Sequence, residues 1–145
     1  MSGSSSDASL TAEQEQQVTA LVEACSGLPN HEWATRATCT RYLQARSWNH
    51  AKALAMITAT LRWRDSTRPD LVRCTKCAAD PLSHNLRWVG FDSESRPVAY
   101  TCFSQAHDRW DVTVNMAHLT WLLEQMQRRF DAVGTPLQKW VLVVE

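Results

Sequence analysis

The sequence has few glycines and prolines, no excess of charge of either sign and no long apolar run. Its 145 residues include 4 Gly and 5 Pro, and 15 Lys and Arg balance 15 Asp and Glu. A neutral chain argues against bulk binding of nucleic acid, which needs a basic surface. No apolar run approaches the roughly 20 residues of a membrane-spanning helix. The first ten residues, MSGSSSDASL, lack the basic and apolar regions of a secretory signal. We therefore expect a cytoplasmic protein with a flexible leader at 1–10.

Catalytic motifs are also missing. The sequence has no Gly-x-Ser-x-Gly elbow, no His-Glu-x-x-His and no phosphate-binding glycine loop. His118 is interpreted as a partly buried, hydrogen-bonded residue rather than a catalyst. The sequence therefore predicts no enzymatic activity.

Cysteine and tryptophan are well represented, with 5 Cys and 7 Trp. Without a secretory signal, an odd number of irregularly spaced cysteines favours reduced thiols. Cys74 and Cys77 form a CxxC pair, and a zinc site would need two further ligands, for which His84, Cys102 and His107 are the nearest options. Because no second pair follows at a zinc-finger spacing, and a redox pair usually opens a helix after a strand, the pattern favours two ordinary thiols.

Three amphipathic helices are predicted in the first half, at 11–26, 32–45 and 50–65. Thr11 with Gln14 forms a capping box, and Asn49 is a plausible N-cap. The predicted buried stripes comprise Val18, Leu21, Val22, Cys25, Cys39, Tyr42, Leu43, Ala53, Leu54, Met56, Ile57, Leu61 and Trp63. Trp48 is predicted to pack its apolar ring into a tight corner between the second and third helices.

Charge is distributed unevenly along these helices. Residues 1–35 contain five acidic and no basic residues, whereas 36–68 contain seven arginines and lysines against Asp65 alone. We favour pairing between helix faces, because charge runs are usually solvated. The alternative is a basic surface that meets anionic lipid headgroups.

The second half changes from a helical to a strand pattern. Residues 71–85 have no clear period and are predicted as a loop or short helix. Strands are predicted at 86–92 and 96–103, joined by a turn over 93–95, and Pro97 indicates an edge or a strand start. A helix is predicted at 108–132, with an apolar stripe of Leu119, Leu122, Leu123, Met126 and Phe130. Gly134 and Pro136 are predicted to end it. The apolar run 137–145 is predicted as a strand buried on both faces.

Two strings resemble the CRAL-TRIO family of lipid-binding proteins. Residues 38–70 (TCTRYLQARSWNHAKALAMITATLRWRDSTRPD) resemble the N-terminal helical segment of that family. The matching residues are Arg41, Tyr42, Leu43, Ala45, Arg46, Trp48, Ala53, Leu54, Trp63 and Arg64. Residues 90–100 (GFDSESRPVAY) resemble the start of the lipid-binding domain, with Gly90, Asp92, Arg96, Pro97 and Val98 on its pattern. Ser95 replaces the usual glycine, so a different turn type is expected. The long helix and the strand WVLVVE, with its acidic Glu145, also fit, so the resemblance spans about 10–145.

This resemblance implies an α/β fold with an N-terminal helical segment at 11–70 and a connector at 71–85. The first half of a CRAL-TRIO-like lipid-binding domain would occupy 86–145, with the gate helix and most headgroup contacts beyond it. Such a domain shields one hydrophobic lipid, phosphatidylinositol or another phospholipid, and exchanges it at membranes. The implied partners are that ligand and, transiently, a membrane surface. No metal or other cofactor is expected.

The two strand segments are the candidate walls of the lipid pocket. Val98, Tyr100 and Cys102 point to one face of their strand, and Ala99, Thr101 and Phe103 point to the other. Val141 and Val143 likewise oppose Trp140, Leu142 and Val144. One set should pack on helices and the other should line the cavity, and the sequence leaves open which does so. The predicted pocket residues are Tyr100, Phe103, Val98, Val141 and Val143.

Two alternatives stay open at this point. The first alternative to lipid transfer is a regulatory module that binds a signalling protein or a membrane without moving lipid. The second is a truncated fragment without activity.

Overall fold

The computed structural model describes residues 9–105, 111–133 and 139–145. The chain forms two compact units, residues 1–67 and 68–145. The described part contains five α-helices and one three-stranded sheet, so the chain is a mixed α/β protein. The predicted connector at 71–85 lies within the second unit.

Three helices build the first unit. They are α1 (Ala12–Cys25), α2 (Arg36–Ala45) and α3 (His50–Thr67), with a short 3-10 helix at His31–Trp33. The predicted capping box is confirmed: the Gln14 N–H donates to Thr11 Oγ1, and the Thr11 N–H donates to Gln14 Oε1. Asn49 Oδ1 accepts from the Lys52 N–H at 3.0 Å, as its predicted N-cap role requires. The second helix starts later than predicted, at Arg36, because Thr35 caps it.

A continuous apolar core joins the three helices. Its members, each at most 3% exposed, are Val18, Leu21, Cys25, Ala34, Cys39, Leu43, Ala53, Ile57 and Leu61. Trp48 packs against this core, as predicted, at a corner where Ser47 and Trp48 both have left-handed backbone angles (φ 50° and 61°). The prediction that Trp63 is buried is wrong, since this residue is 45% exposed. At about 100° per residue Trp63 lies on the opposite side of α3 from Leu61.

An ion pair joins the acidic helix α1 to the basic helix α2. The Arg36 guanidinium, on α2, bonds the Glu15 carboxylate and the Thr19 hydroxyl, both on α1. Arg64 lies 4.6 Å from the centre of the Trp33 ring. These contacts agree with the interpretation of the charge pattern as pairing between helix faces.

The second unit combines helices with the sheet. Its elements are a 3-10 helix at Pro69–Leu71, α4 (Thr75–Ala79), β1 (Arg87–Phe91), β2 (Pro97–Thr101), a 3-10 helix at Phe103–Gln105, α5 (Val112–Val133) and β3 (Val141–Val144). Strand order is β1-β2-β3, with β1 and β2 antiparallel and β2 and β3 parallel. The segments 86–103 and 137–145 therefore contribute to one sheet. Helix α5 lies between the parallel strands in the chain, as a crossover connection requires.

The hairpin between β1 and β2 forms where it was predicted. Asp92 Oδ1 accepts from the backbone N–H groups of Glu94 and Arg96, both at 2.9 Å. Ser95 adopts φ 60°, a left-handed angle that glycine reaches at lower cost. A register irregularity lies between Trp88 and Gly90, and Gly90 has φ 143° there.

Two expectations about the sheet are wrong. Strand β2 ends at Thr101, so Phe103 lies in the following 3-10 helix rather than in a strand. Strand β3 is not buried on both faces, because Leu142, Val143 and Val144 are 45–53% exposed. The physical reason is that a strand's side chains are buried only where another layer covers its face, and the apolar contact of α5 with the sheet centres on Ala99 of β2. Among the described strands β3 lies at the edge of the sheet, beside β2.

Helix α5 packs on one face of the sheet. Leu122 and Met126 are buried against Ala99 of β2, with Leu86, Trp88 and Trp121 around them. Leu123, predicted on the buried stripe, is exposed instead, because it points away from this contact. The side chain of Phe130 and the predicted helix stops Gly134 and Pro136 lie outside the described residues.

Candidate functional site

Four metal-ligating side chains converge in the second unit. They form what we call the Cys/His cluster: Cys74, Cys77, His84 and His118. One ligand atom from each lies within 4.8 Å of the others. Cys74 Sγ is 3.2 Å from His84 Nε2, and Cys77 Sγ is 3.4 Å from His118 Nδ1. Two sulfur and two nitrogen donors at these distances make a compact potential metal-binding set.

Local structure positions the two cysteines. Cys74 immediately precedes α4, and its sulfur accepts the Cys77 N–H at 3.4 Å. The Ser83 hydroxyl donates to Cys77 Sγ at 3.8 Å. Both contacts direct a donor hydrogen at a cysteine sulfur.

The two histidines come from different elements. His84 lies in the loop before β1, and His118 lies on α5. Their rings stack with centroids 3.8 Å apart and planes 14° from parallel. The Leu86 carbonyl accepts a hydrogen bond from His118 Nε2 at 2.6 Å. Because Nε2 carries the proton, Nδ1 is the nitrogen whose lone pair faces Cys77.

The cluster is buried, with Cys74, His84 and His118 only 4–6% exposed. Burial lowers the pKa of His118 and raises the pKa of the Cys77 thiol, because desolvation disfavours each charged form. His118 is therefore a neutral imidazole at neutral pH, which is the form that binds metal ions.

A pocket of about 290 Å³ adjoins the cluster, and Cys77 and His118 contribute to its lining. Trp88, Trp121 and Leu122 supply apolar walls. The Arg129 guanidinium also lines it and lies 4.2 Å from the centre of the Trp88 ring. This volume lies at the lower end of the range for small-molecule sites. It is too small for the two acyl chains of a phospholipid.

Four of the five predicted pocket residues lie together on the sheet. Val98 pairs with Val141 and Tyr100 pairs with Val143, so these side chains share one face. The fifth, Phe103, lies apart in a 3-10 helix and is 66% exposed.

Tyr100 carries the polar contacts of this face. Its hydroxyl donates to the Glu145 carboxylate, and this hydrogen bond raises the pKa of Tyr100 to about 12. The Arg87 guanidinium lies 5.5 Å from the centre of the Tyr100 ring.

Sequence reasoning named part of the Cys/His cluster. Cys74, Cys77 and His84 are among the possible zinc ligands that the sequence offers, and the predicted hydrogen bond of His118 is present. Of the other two options, Cys102 lies outside the cluster and contacts the Ser104 hydroxyl, and His107 lies outside the described residues. His118 was missed because 33 residues separate it from His84, far from the His-x3–5-His spacing typical of zinc fingers. Its position on the inner face of a predicted amphipathic helix was the one available signal.

Comparisons with known proteins do not assign this chain to a family. A scan against protein-family models finds no match, and a search of curated proteins finds none either. Among the described residues, no helix is long and apolar enough to cross a membrane.

Proposed function

We propose that the second unit binds one hydrophobic lipid, phosphatidylinositol or another phospholipid, against the face of the sheet opposite α5. The supporting observation is that the two apolar segments 86–103 and 137–145 join one sheet, with a helix packed on only one of its faces among the described residues. The resemblance of the sequence to the CRAL-TRIO family is the second support for the proposal.

Burial distinguishes the two faces of β2. Pro97, Ala99 and Thr101 are buried, and Ala99 packs against α5. Val98 and Tyr100 alternate with them and are only half-buried. The side of β2 that carries Ala99 therefore packs on α5. The side that carries Val98 and Tyr100 is the candidate lipid-binding surface.

The chemistry of this second face suits an amphipathic ligand. Val98, Val141 and Val143 provide an apolar surface, while Arg87 and Tyr100 lie in one cross-strand row. Each acyl CH₂ removed from water stabilises a complex by about 0.8 kcal/mol, so even partial coverage of a chain on valine side chains is favourable. The basic guanidinium at one end of the row matches a phosphate group.

A charge introduced on each face in turn tests the proposal. Val143 and Leu142 are neighbours on β3 with similar exposures of 45% and 47%, and they point to opposite faces. Val143→Asp should weaken capture of labelled phosphatidylinositol or phosphatidylcholine from vesicles at least tenfold, because it places a carboxylate against acyl chains. Leu142→Asp is the matched control and should bind within twofold of the unsubstituted chain.

Native mass spectrometry of the purified chain provides the direct readout. One bound lipid per chain supports the proposal. The proposal would be refuted if the unsubstituted chain carried no lipid after incubation with phosphatidylinositol or phosphatidylcholine vesicles. Equal losses of lipid binding in Val143→Asp and Leu142→Asp would also refute it.

A regulatory interaction module is the second candidate, favoured by the exposed apolar edge strand β3. Edge strands offer unpaired backbone groups to which a partner's strand can add. A bound protein instead of a lipid in the same mass spectra would support this alternative.

A further inference from the structure

We propose that Cys74, Cys77, His84 and His118 bind one zinc ion as a closed, four-ligand structural site. The inference is independent of lipid binding, because none of these residues is among the proposed lipid-contacting side chains.

The distances between donor atoms suit tetrahedral zinc. Zinc–sulfur bonds of about 2.3 Å and zinc–nitrogen bonds of about 2.0–2.1 Å place sulfur and nitrogen about 3.5 Å apart in a tetrahedron. The two sulfur–nitrogen contacts of the cluster measure 3.2 and 3.4 Å. The two rings are stacked with planes 14° from parallel, and a zinc–nitrogen bond lies in the plane of its imidazole, so one ring must turn for both nitrogens to reach a single ion.

The donor set and its surroundings select zinc over other common ions. Two sulfurs with two imidazoles in a tetrahedral arrangement are typical of zinc, whereas magnesium and calcium prefer oxygen. Two thiolates balance the charge of a divalent ion, so the complete site is neutral and suits its buried position. The Leu86 carbonyl, which accepts from His118 Nε2, is the outer partner that orients a histidine ligand.

A redox disulfide explains these contacts less well. A disulfide between Cys74 and Cys77, formed with loss of two protons and two electrons to an external oxidant, would join only the two sulfurs. It leaves unexplained why imidazole nitrogens from a loop and from α5 both lie within 3.4 Å of these sulfurs. Zinc accounts for all four side chains at once.

The site would be structural because four protein ligands fill a tetrahedral zinc. Helix α4 has only 5 residues, and a helix this short is unstable in isolation. The second unit also has a small apolar cluster, Ala99, Leu122 and Met126. Zinc would fix 74–84 to α5 and compensate for that small core.

Metal analysis of the full chain, purified in reductant without added chelator, tests the site. We expect one zinc per chain, and an identical chain that is stripped and titrated with cobalt(II) should develop the visible spectrum of tetrahedral cobalt with thiolate charge-transfer bands. This spectrum needs no substitution, so it does not depend on a variant that folds.

Substitutions then assign the ligands. Cys77→Ser and His118→Gln should each weaken zinc binding at least 100-fold, in competition with a chromophoric chelator. The matched controls are Cys102→Ser, a thiol of the same unit outside the cluster, and His31→Gln, an exposed histidine; both should bind zinc as the unsubstituted chain does.

Three results would overturn the proposal. They are a chain that binds neither zinc nor cobalt when reduced, an octahedral cobalt spectrum, and zinc affinity that is equal in the ligand variants and the controls. The last result would identify an adventitious ion only.

Discussion

The two units have similar lengths but different interiors. The first closes around nine buried apolar residues drawn from three helices and the segment between α1 and α2. Among the described residues of the second unit, the apolar cluster has only three members, and His84, Thr101 and His118 are also buried, while strand β3 exposes apolar side chains. The interior of the first unit is almost entirely apolar, with Thr38 as a buried polar residue. The buried polar groups and exposed apolar surface of the second are features that binding would explain, so this unit is where function is expected.

The largest expected effect compares one leucine in each core. Leu61→Ala should lower the free energy of unfolding of the first unit by about 3–5 kcal/mol, because it leaves a closed cavity among fully buried neighbours. Leu122 lines the pocket beside the Cys/His cluster as well as the small core, so Leu122→Ala enlarges an existing cavity. This substitution should lower the free energy of unfolding of the second unit by about 2–3 kcal/mol. Hydrogen exchange in denaturant, followed separately in 9–67 and 68–105, measures both. A larger loss of unfolding free energy for Leu122→Ala than for Leu61→Ala would contradict the claim that the first unit has the more closely packed core.

A smaller effect is expected at the hairpin turn of the second unit. Ser95 holds a left-handed backbone angle that costs a non-glycine residue about 1–2 kcal/mol. Ser95→Gly should therefore stabilise this unit by up to about 1 kcal/mol, after the greater chain entropy of glycine is subtracted. Ser93 lies in the same turn without a positive φ, so the control Ser93→Gly should destabilise. Thermal unfolding of the two variants provides the test, and the same sign for both would refute the explanation.

The smallest expected effect is a pH dependence confined to that turn. Hydrogen bonds from the Arg96 backbone N–H, the Arg96 guanidinium and the Glu94 N–H hold the pKa of Asp92 below its usual value. A lowered pKa in the folded state means that the stabilisation is complete above the unfolded pKa of about 3.9 and is lost as pH falls through the folded value. NMR titration of the Asp92 carboxylate should show the lowered midpoint. The protection of the amides in 87–101, measured against the intrinsic exchange rate at each pH, should fall below about pH 4 in the unsubstituted chain and change less in Asp92→Asn.

Local sequence signals predicted most of the helices and the hairpin. Thr11 and Asn49 cap helices where the sequence placed them, because a cap needs only a side chain and the N–H two or three residues ahead. Predictions that depended on contacts between segments far apart in the chain were less accurate. The apolar run of β3 was predicted as a doubly buried strand, and its exposure depends on how many strands and helices surround it.

The candidate zinc site illustrates the same limit. Cys74 and Cys77 are close in sequence, so their proximity was visible as a pair. His118 joins them only because α5 packs on the sheet, and no spacing rule predicts that contact over 41 residues.

The sequence by itself determined the elements: helical and strand periodicities, caps and turn residues act over a few positions and require no knowledge of the fold. The tertiary structure alone decided which sheet face α5 covers and which four side chains meet at the Cys/His cluster. The reason is physical, since both depend on contacts between segments far apart in the chain, and composition and spacing do not encode those contacts.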